Sequence, residues 1–100
     1  AYFEKDNINL SIKYFEKAIA LQENAEPLLG LASCLRKKDI NLALELAKKA
    51  LTADPNYVDY GYRKEQLWGD KLQTSTEILL QNNYLQADVI LAKSKINASS

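Results

Sequence analysis

Apolar residues recur at spacings of three and four in two segments of the chain that lie 32 residues apart. In residues 40–51, leucines and alanines form one face of a helix, and charged residues such as Glu45 and Lys49 fall on the other. Residues 8–19 carry the same arrangement, and five of the twelve aligned positions are identical. The pattern therefore predicts two amphipathic α-helices that are copies of one unit.

Both copies carry helix boundary signals. Asn7 and Asp39 stand directly before them, and their side-chain oxygens can accept hydrogen bonds from the free N–H groups of a first turn. Asp54-Pro55 follows the second copy, and a residue before a proline is disfavoured in the helical conformation. We therefore expect N-caps at Asn7 and Asp39 and a helix end at Asp54.

The segment between the copies, residues 28–35, predicts a further helix. Pro27 suits its first turn, where a missing N–H costs nothing. The apolar face of this helix consists of Leu28, Leu31, Ala32 and Leu35. The unit is thus helix, tight turn, helix, and neighbouring helices must stack because neither can bury its apolar face alone.

The spacing of large and small residues resembles the tetratricopeptide repeat. The second unit reads Leu28-x2-Leu31-Ala32-x2-Leu35 and then Ala43-x3-Ala47-x2-Ala50-x4-Pro55, with a turn one residue short. Small residues at Ala32 and Ala43 would let two helices approach closely where they cross. The resemblance implies a right-handed superhelix whose concave face, lined mainly by the first helix of each pair, holds a peptide or a partner's helix.

We therefore predict an all-α fold, a right-handed α-solenoid of antiparallel helix pairs in a single domain. A truncated repeat covers residues 1–23, with Ala1 to Lys5 as an exposed stub of a longer helix. A full repeat covers 25–54, a degenerate repeat 56–81 with helices at 56–68 and 71–81, and a capping helix 84–97. The run from Tyr62 to Leu72 is similar to a terminal segment of some cyanobacterial tetratricopeptide-repeat proteins.

Charge and composition exclude several classes of function. Lys plus Arg equals Asp plus Glu at 13 each, which argues against nucleic-acid binding and against a membrane-surface protein. No apolar run approaches the roughly 20 residues that span a bilayer. We expect a cytoplasmic protein, and the single cysteine, Cys34, is compatible with a reducing compartment.

The sequence does not favour catalysis. Without histidine, neither a Ser-His-Asp triad nor an activated Cys34 nucleophile can form, and Cys34 inside an apolar helix face is typical of a small filler. The three glycines are isolated, so they predict no phosphate-binding loop. We expect no enzyme, no cofactor and no metal site.

The leading hypothesis is a protein-binding scaffold. Two helices would line its groove, with Leu29 projecting away from the apolar stripe of the first. The predicted groove residues are Leu29, Ser33, Arg36, Lys37, Tyr62, Glu65 and Gln66, with Arg63 and Trp68 as further hot-spot candidates. Two alternatives stay open: the basic run at 36–38 can serve the helix dipole, and the aromatic segment 57–68 can serve packing.

A second hypothesis is structural. If the first helix of the first unit is missing, Tyr14, Phe15 and Ile19 form an exposed apolar strip, and such strips favour association. The chain would then be one link of a longer solenoid or a self-associating homo-oligomer.

Overall fold

The fold is known from a computed structural model that describes residues 7–99, so the expected stub at Ala1 to Lys5 lies outside the described residues. Within this range the chain forms α-helices and short 3₁₀ turns and no β-strand, which confirms the all-α class. The helices are α1 (Ile8–Leu21), α2 (Ala25–Leu35), α3 (Ile40–Ala53), α4 (Tyr60–Glu65), α5 (Asp70–Leu80) and α6 (Gln86–Ser99). The 3₁₀ turns are Pro55–Val58 and Asn83–Leu85.

The two copies seen in the sequence are helices α1 and α3, each 14 residues long. The Asn7 side chain accepts from the N–H of Leu10, and the Asp39 side chain accepts from the N–H of Leu42, at 3.3 and 3.1 Å. Helix α3 ends at Ala53, where Asp54 takes an extended conformation before proline. The predicted caps and the predicted end are confirmed.

Helix α2 lies at the centre of the molecule and contacts α1, α3 and α5. Its residues from Pro27 to Cys34 are all buried, whereas the sequence predicted one buried stripe. Helix α5 packs on the side of α2 that carries Ser33, and Leu29 lies about one turn away on that side. The prediction that Leu29 projects into an open groove is therefore wrong.

Small residues allow the close helix contacts. Ala32 and Ala43 are fully buried, as expected for positions where α2 and α3 approach each other. A Cβ on Gly30 would lie only 2.5 Å from Cζ of Phe15, so the Phe15 ring occupies the space above this glycine. Phe15 and Ile19 are partly buried against the core, so the prediction that both lie in an exposed strip is wrong.

The predicted helix over residues 56–68 is replaced by two short elements. The 3₁₀ turn Pro55–Val58 ends at Asp59, whose side chain accepts from the N–H of Tyr62 at 2.8 Å and caps α4. Helix α4 ends after only six residues. The periodicity of apolar residues did not predict this break. The Asp59 side chain caps a new helix inside the segment, and this hydrogen bond is favoured over continuation of one helix.

The end of α4 is a Schellman motif with leucine where glycine is usual. The N–H of Leu67 donates to the carbonyl of Lys64, and the N–H of Trp68 donates to the carbonyl of Arg63, at 2.9 and 3.1 Å. Leu67 has a φ of 69°, the left-handed region, and its side chain is 91% exposed. The motif turns the chain back so that Trp68 is buried.

Arg63 joins the irregular segment to α5. Its side chain is fully buried and donates to the Tyr57 carbonyl at 2.8 Å, to Gln73 Oε1 at 2.6 Å, and to the Glu77 carboxylate. Gln73 in turn donates to the carbonyl of Tyr60 at 3.0 Å. Every polar group of this network has a partner, which a buried charge requires.

The last two helices occur close to the predicted positions. Helix α5 begins at Asp70, and α6 begins at Gln86 after the 3₁₀ turn that Asn82 caps. Helix α5 contacts α2, whereas α6 contacts α3 and the turn Pro55–Val58. The segment 55–68 therefore touches both final helices, through Arg63 on one side and through this turn on the other.

Candidate functional site: a basic cleft between α2 and α5

A cleft of about 510 Å³ lies between the C-terminal end of α2 and the first turns of α5. This volume is within the range of protein ligand pockets. The lining residues are Ile8, Ser33, Cys34, Arg36, Lys37, Lys38, Asp70, Lys71, Thr74 and Ser75. Three separate helices thus contribute to one concave surface.

Positive charge is concentrated in this cleft. Four cationic residues line it, and among the lining residues that the structure describes Asp70 is the single acid. The chain as a whole is neutral, so the local excess is not a property of the overall composition. Asp39, which follows the basic run, already accepts a hydrogen bond from the backbone of α3. The cleft can therefore attract an anionic group.

Hydroxyl groups form the floor of the cleft and fix α2 to α5. The hydroxyls of Ser33 and Thr76 lie 2.7 Å apart within hydrogen-bond distance. The Ser75 hydroxyl donates to the Ser33 carbonyl at 2.9 Å, and Arg36 Nε donates to the Ser75 hydroxyl at 3.3 Å. The last bond holds Arg36 against the cleft wall, and its other nitrogens make no hydrogen bond with described residues.

Lys38 lines the cleft and contacts α1. Its Nζ donates to Asn9 Oδ1 of α1 at 2.6 Å, which ties the start of α1 to the end of α2. Lys37 and Lys38 are both exposed to solvent. The basic run thus lies at the open rim, where a binding partner can reach it.

Cys34 contributes packing to the cleft and no reactive thiolate. Burial raises the pKa of its thiol to about 12, although nearby Lys38 acts in the opposite direction. The thiol is therefore protonated at neutral pH, and only a thiolate is an effective nucleophile. The predicted burial of Cys34 as a small apolar filler is confirmed.

The structure brings together three of the predicted groove residues, Ser33, Arg36 and Lys37. Ser33 lies at the floor of the cleft, where only 2% of the residue is exposed. The remaining predicted residues lie elsewhere, because the helix beside α2 is α5 and not the predicted helix 56–68. These residues are Leu29, Tyr62, Arg63, Glu65, Gln66 and Trp68.

The six residues outside the cleft differ in exposure. Glu65 and Gln66 are exposed on or next to α4, and Tyr62 is half-buried. Arg63 is 0% and Trp68 is 8% exposed, so the prediction that they form a surface hot spot is wrong. The hydrogen-bond network covers Arg63, and the aromatic cluster of Tyr57, Tyr62 and Trp68 covers Trp68. Neither side chain therefore has exposed area for a partner to contact.

The aromatic side chains of the segment 57–68 pack against one another. The rings of Tyr57 and Tyr62 meet edge to face at 5.0 Å, and those of Tyr57 and Trp68 lie 6.0 Å apart. The Trp68 indole N–H donates to Glu26 Oε2 at 3.2 Å, which satisfies its one polar group. This cluster covers the start of α2.

Sequence reasoning missed the α5 side of the cleft. Lys71, Thr74 and Ser75 line this side of the cleft. The signal in the sequence that could have identified it is the series of small polar residues along α5. Such residues suit a close contact with the Ser33 side of α2. The contact itself could not be read from periodicity, because it joins residues about forty positions apart.

No family model, no curated protein and no solved structure matches this chain. Within residues 7–99, none of the helices is both long and apolar enough to cross a membrane. The same range holds no group of three or more His, Cys, Asp or Glu side chains that could bind a metal ion.

Proposed function

We propose that this chain is a non-catalytic protein-binding module that holds a segment of a partner protein in the cleft between α2 and α5. The observation that carries this proposal is an open cleft walled by two helices, with cationic side chains at its rim and a hydrogen-bonded floor. A rigid floor limits the entropy lost on binding, which favours recognition of an extended segment.

We further propose that the helices stack as in a tetratricopeptide-repeat solenoid. Helices α1 and α3 share their length and their N-cap and C-cap bonds, as repeated units would. Helix α5 contacts α2 and α6 contacts α3, which supports a continuing stack with α6 as its cap. In this arrangement α2 and α5 are neighbouring helices of the stack, and both border the cleft.

Filling the cleft tests the proposed function. Thr74 is exposed and lines the cleft, so Thr74→Trp should occupy the volume without disturbing the core. Peptides selected from a random library against the wild-type chain should lose binding to this variant. Thr52→Trp, at an exposed α3 position outside the cleft, is the matched control and should bind normally. Unchanged titrations with Thr74→Trp would overturn the proposal.

Self-association is a second candidate function, and it rests on apolar residues exposed on the outer side of α1. Tyr14 is 60% and Leu21 is 89% exposed, and Leu10 lies one turn before Tyr14 on the same side. An unpartnered strip of this kind favours association. Light scattering over a concentration series should show a mass increase that Tyr14→Lys with Leu21→Lys removes. A constant monomer mass for the wild-type chain would exclude this candidate.

A further inference from the structure

We infer that an exposed stripe of α1 binds a second copy of this chain, with the two α1 helices antiparallel about a two-fold axis. The stripe consists of Leu10, Tyr14, Lys17 and Leu21, which share one side of the helix because they are spaced by four, three and four residues. This contact rests on self-association, the second candidate function, and specifies the surface and the orientation that produce it.

The stripe is exposed along its whole length. Leu10 is 42%, Tyr14 is 60% and Leu21 is 89% exposed, and Lys17 is exposed as well. Single exposed apolar residues are ordinary, but three on one side of one helix form an interaction surface. In α3, the copy of α1, Leu46 stands where α1 has Tyr14, and Leu46 is partly buried against the core. Tyr14 therefore lacks the cover that its copy has.

The order of its residues makes the stripe complementary to itself. The spacings of four, three and four residues read the same in both directions, so an antiparallel pair of α1 helices matches every position. Leu10 of one copy then faces Leu21 of the other, and Tyr14 faces Lys17. The two-fold axis forms each of these contacts twice. A parallel pair would instead place Lys17 against Lys17, where like charges repel.

Charge complementarity favours the contact between Tyr14 and Lys17. An ammonium group over the face of an aromatic ring is attracted by the quadrupole of the ring. Lys17 forms no ion pair or hydrogen bond with another residue that the structure describes. The Tyr14 ring contacts the Phe15 ring at a centroid distance of 5.4 Å, which restrains its orientation. A contact of the same type occurs inside the chain, where Lys48 Nζ lies 4.8 Å from the centroid of the Tyr84 ring.

The stripe does not overlap the cleft between α2 and α5. Ile8 is the α1 residue that lines the cleft, and it lies two positions before Leu10, about 200° around the helix. A dimer through the stripe therefore leaves the cleft open on both copies. A contact along one helix of 14 residues is small, so we expect a reversible dimer whose population rises with concentration.

Disulfide crosslinking tests the orientation. One variant carries Leu10→Cys, and a second, with a purification tag, carries Leu21→Cys, while the natural Cys34 is buried in both. Under mild oxidation a mixture should form a disulfide between unlike copies. Each variant alone should form none, because equal positions on the two helices lie about 16 Å apart along the axis, beyond the reach of a disulfide. Thr52→Cys, at an exposed α3 position, is the control for random collision.

Light scattering over a concentration series tests the contact between lysine and tyrosine. Lys17→Glu should raise the dissociation constant of the dimer by about tenfold, because it places a negative charge against the negative face of the Tyr14 ring. Lys17→Arg should retain the dimer. Lys49→Glu is the matched control, since Lys49 is the exposed copy of Lys17 on α3, and it should leave the dissociation constant unchanged. Thermal melts by circular dichroism show whether each variant is folded.

The results separate this dimer from the functions proposed above. Crosslinks between like variants in place of unlike ones would show a parallel pair and overturn the inference. A dimer without either crosslink would place self-association on another surface, and a constant monomer mass would leave the stripe to a different occupant, so both results also overturn it. None of them affects binding in the cleft, which Thr74→Trp tests independently.

Discussion

Single residues with unusual surroundings set the local geometry of this chain. Gly30 gives up helix propensity so that Phe15 can lie against α2. Leu67 takes a backbone conformation that leucine rarely adopts, and its side chain contributes almost no burial in return. Both residues adopt a conformation that their residue type alone does not favour, and each leads to a prediction about the stability of the protein.

Replacing Gly30 with alanine should destabilise the protein by about 1 kcal/mol. The added Cβ meets the Phe15 ring, and overpacking of about 1–3 kcal/mol exceeds the gain of about 1 kcal/mol in helix propensity. In a Phe15→Ala background the same change should become stabilising by about 1 kcal/mol. Urea unfolding of the wild-type chain and the three variants measures both values, and an unchanged sign between backgrounds would contradict the packing argument.

Replacing Leu67 with glycine should stabilise the protein by about 1 kcal/mol. The left-handed conformation costs an L-residue about 1–2 kcal/mol, and glycine avoids this cost at a smaller loss of chain entropy. Gln66→Gly is the matched control, since Gln66 has a φ of −85° and gains nothing from glycine. Thermal unfolding should show a rise in Tm for the first variant only.

At the scale of elements, the segment between α3 and α5 departs most from a regular repeat. A helix of six residues and a 3₁₀ turn replace a full helix, and the buried Arg63 holds them in place. Short elements of this kind have too few internal hydrogen bonds to be stable alone. Their order therefore depends on bonds to α5.

Replacing Arg63 with methionine should cost about 3 kcal/mol of stability. The change removes the donor for the Tyr57 carbonyl and for Gln73, and it leaves buried acceptors unpaired. Lys64→Met at the next, exposed position should change the free energy of unfolding by less than about 0.5 kcal/mol. Amide exchange should also show faster opening of residues 57–68 in Arg63→Met, and equal costs for both variants would contradict the network's role.

At the scale of the whole molecule, the described residues form a body of 37 × 27 × 26 Å around α2. The buried set extends from α2 and α3 through Tyr57 and Trp68 to Val89 and Ala92 of α6. Global unfolding therefore exposes titratable groups that the core shields, and stability depends on pH.

The free energy of unfolding should fall as pH rises above about 9. Burial raises the pKa of Cys34 from 9.0 to about 12 and that of Tyr57 from 10.0 to about 12. Because the folded values are the higher ones, the unfolded chain loses these protons first, so the stabilisation is complete below pH 9 and declines toward pH 12. Between pH 9 and 10 the total loss of stability should be about 1.4 kcal/mol at most.

Cys34→Ala separates the two contributions. In this variant the decline should begin near pH 10, where Tyr57 alone starts to titrate in the unfolded chain. Urea titrations at pH 8 and at half-unit steps above it provide the curves. A wild-type curve that stays level up to pH 11 would contradict the shielding of both groups.

The amount that the sequence could predict differs between the two halves of the chain. The boundaries of α1 and α3 followed from Asn7, Asp39 and the Asp54-Pro55 pair, because capping and proline effects act over a few bonds. In the candidate site, Ser33, Arg36 and Lys37 were identified from the end of α2. Lys71 and its α5 neighbours were not, since their place depends on a contact between distant helices.

The sequence by itself determined the all-α class, the repeated helix and its caps, and the burial of Cys34, since periodicity and short-range hydrogen bonds specify these features locally. The tertiary structure alone decided that α5 lies beside α2, that Arg63 and Trp68 are buried, and that four cations border one cleft. An apolar stripe shows that a helix face is covered, but it does not specify which element covers it.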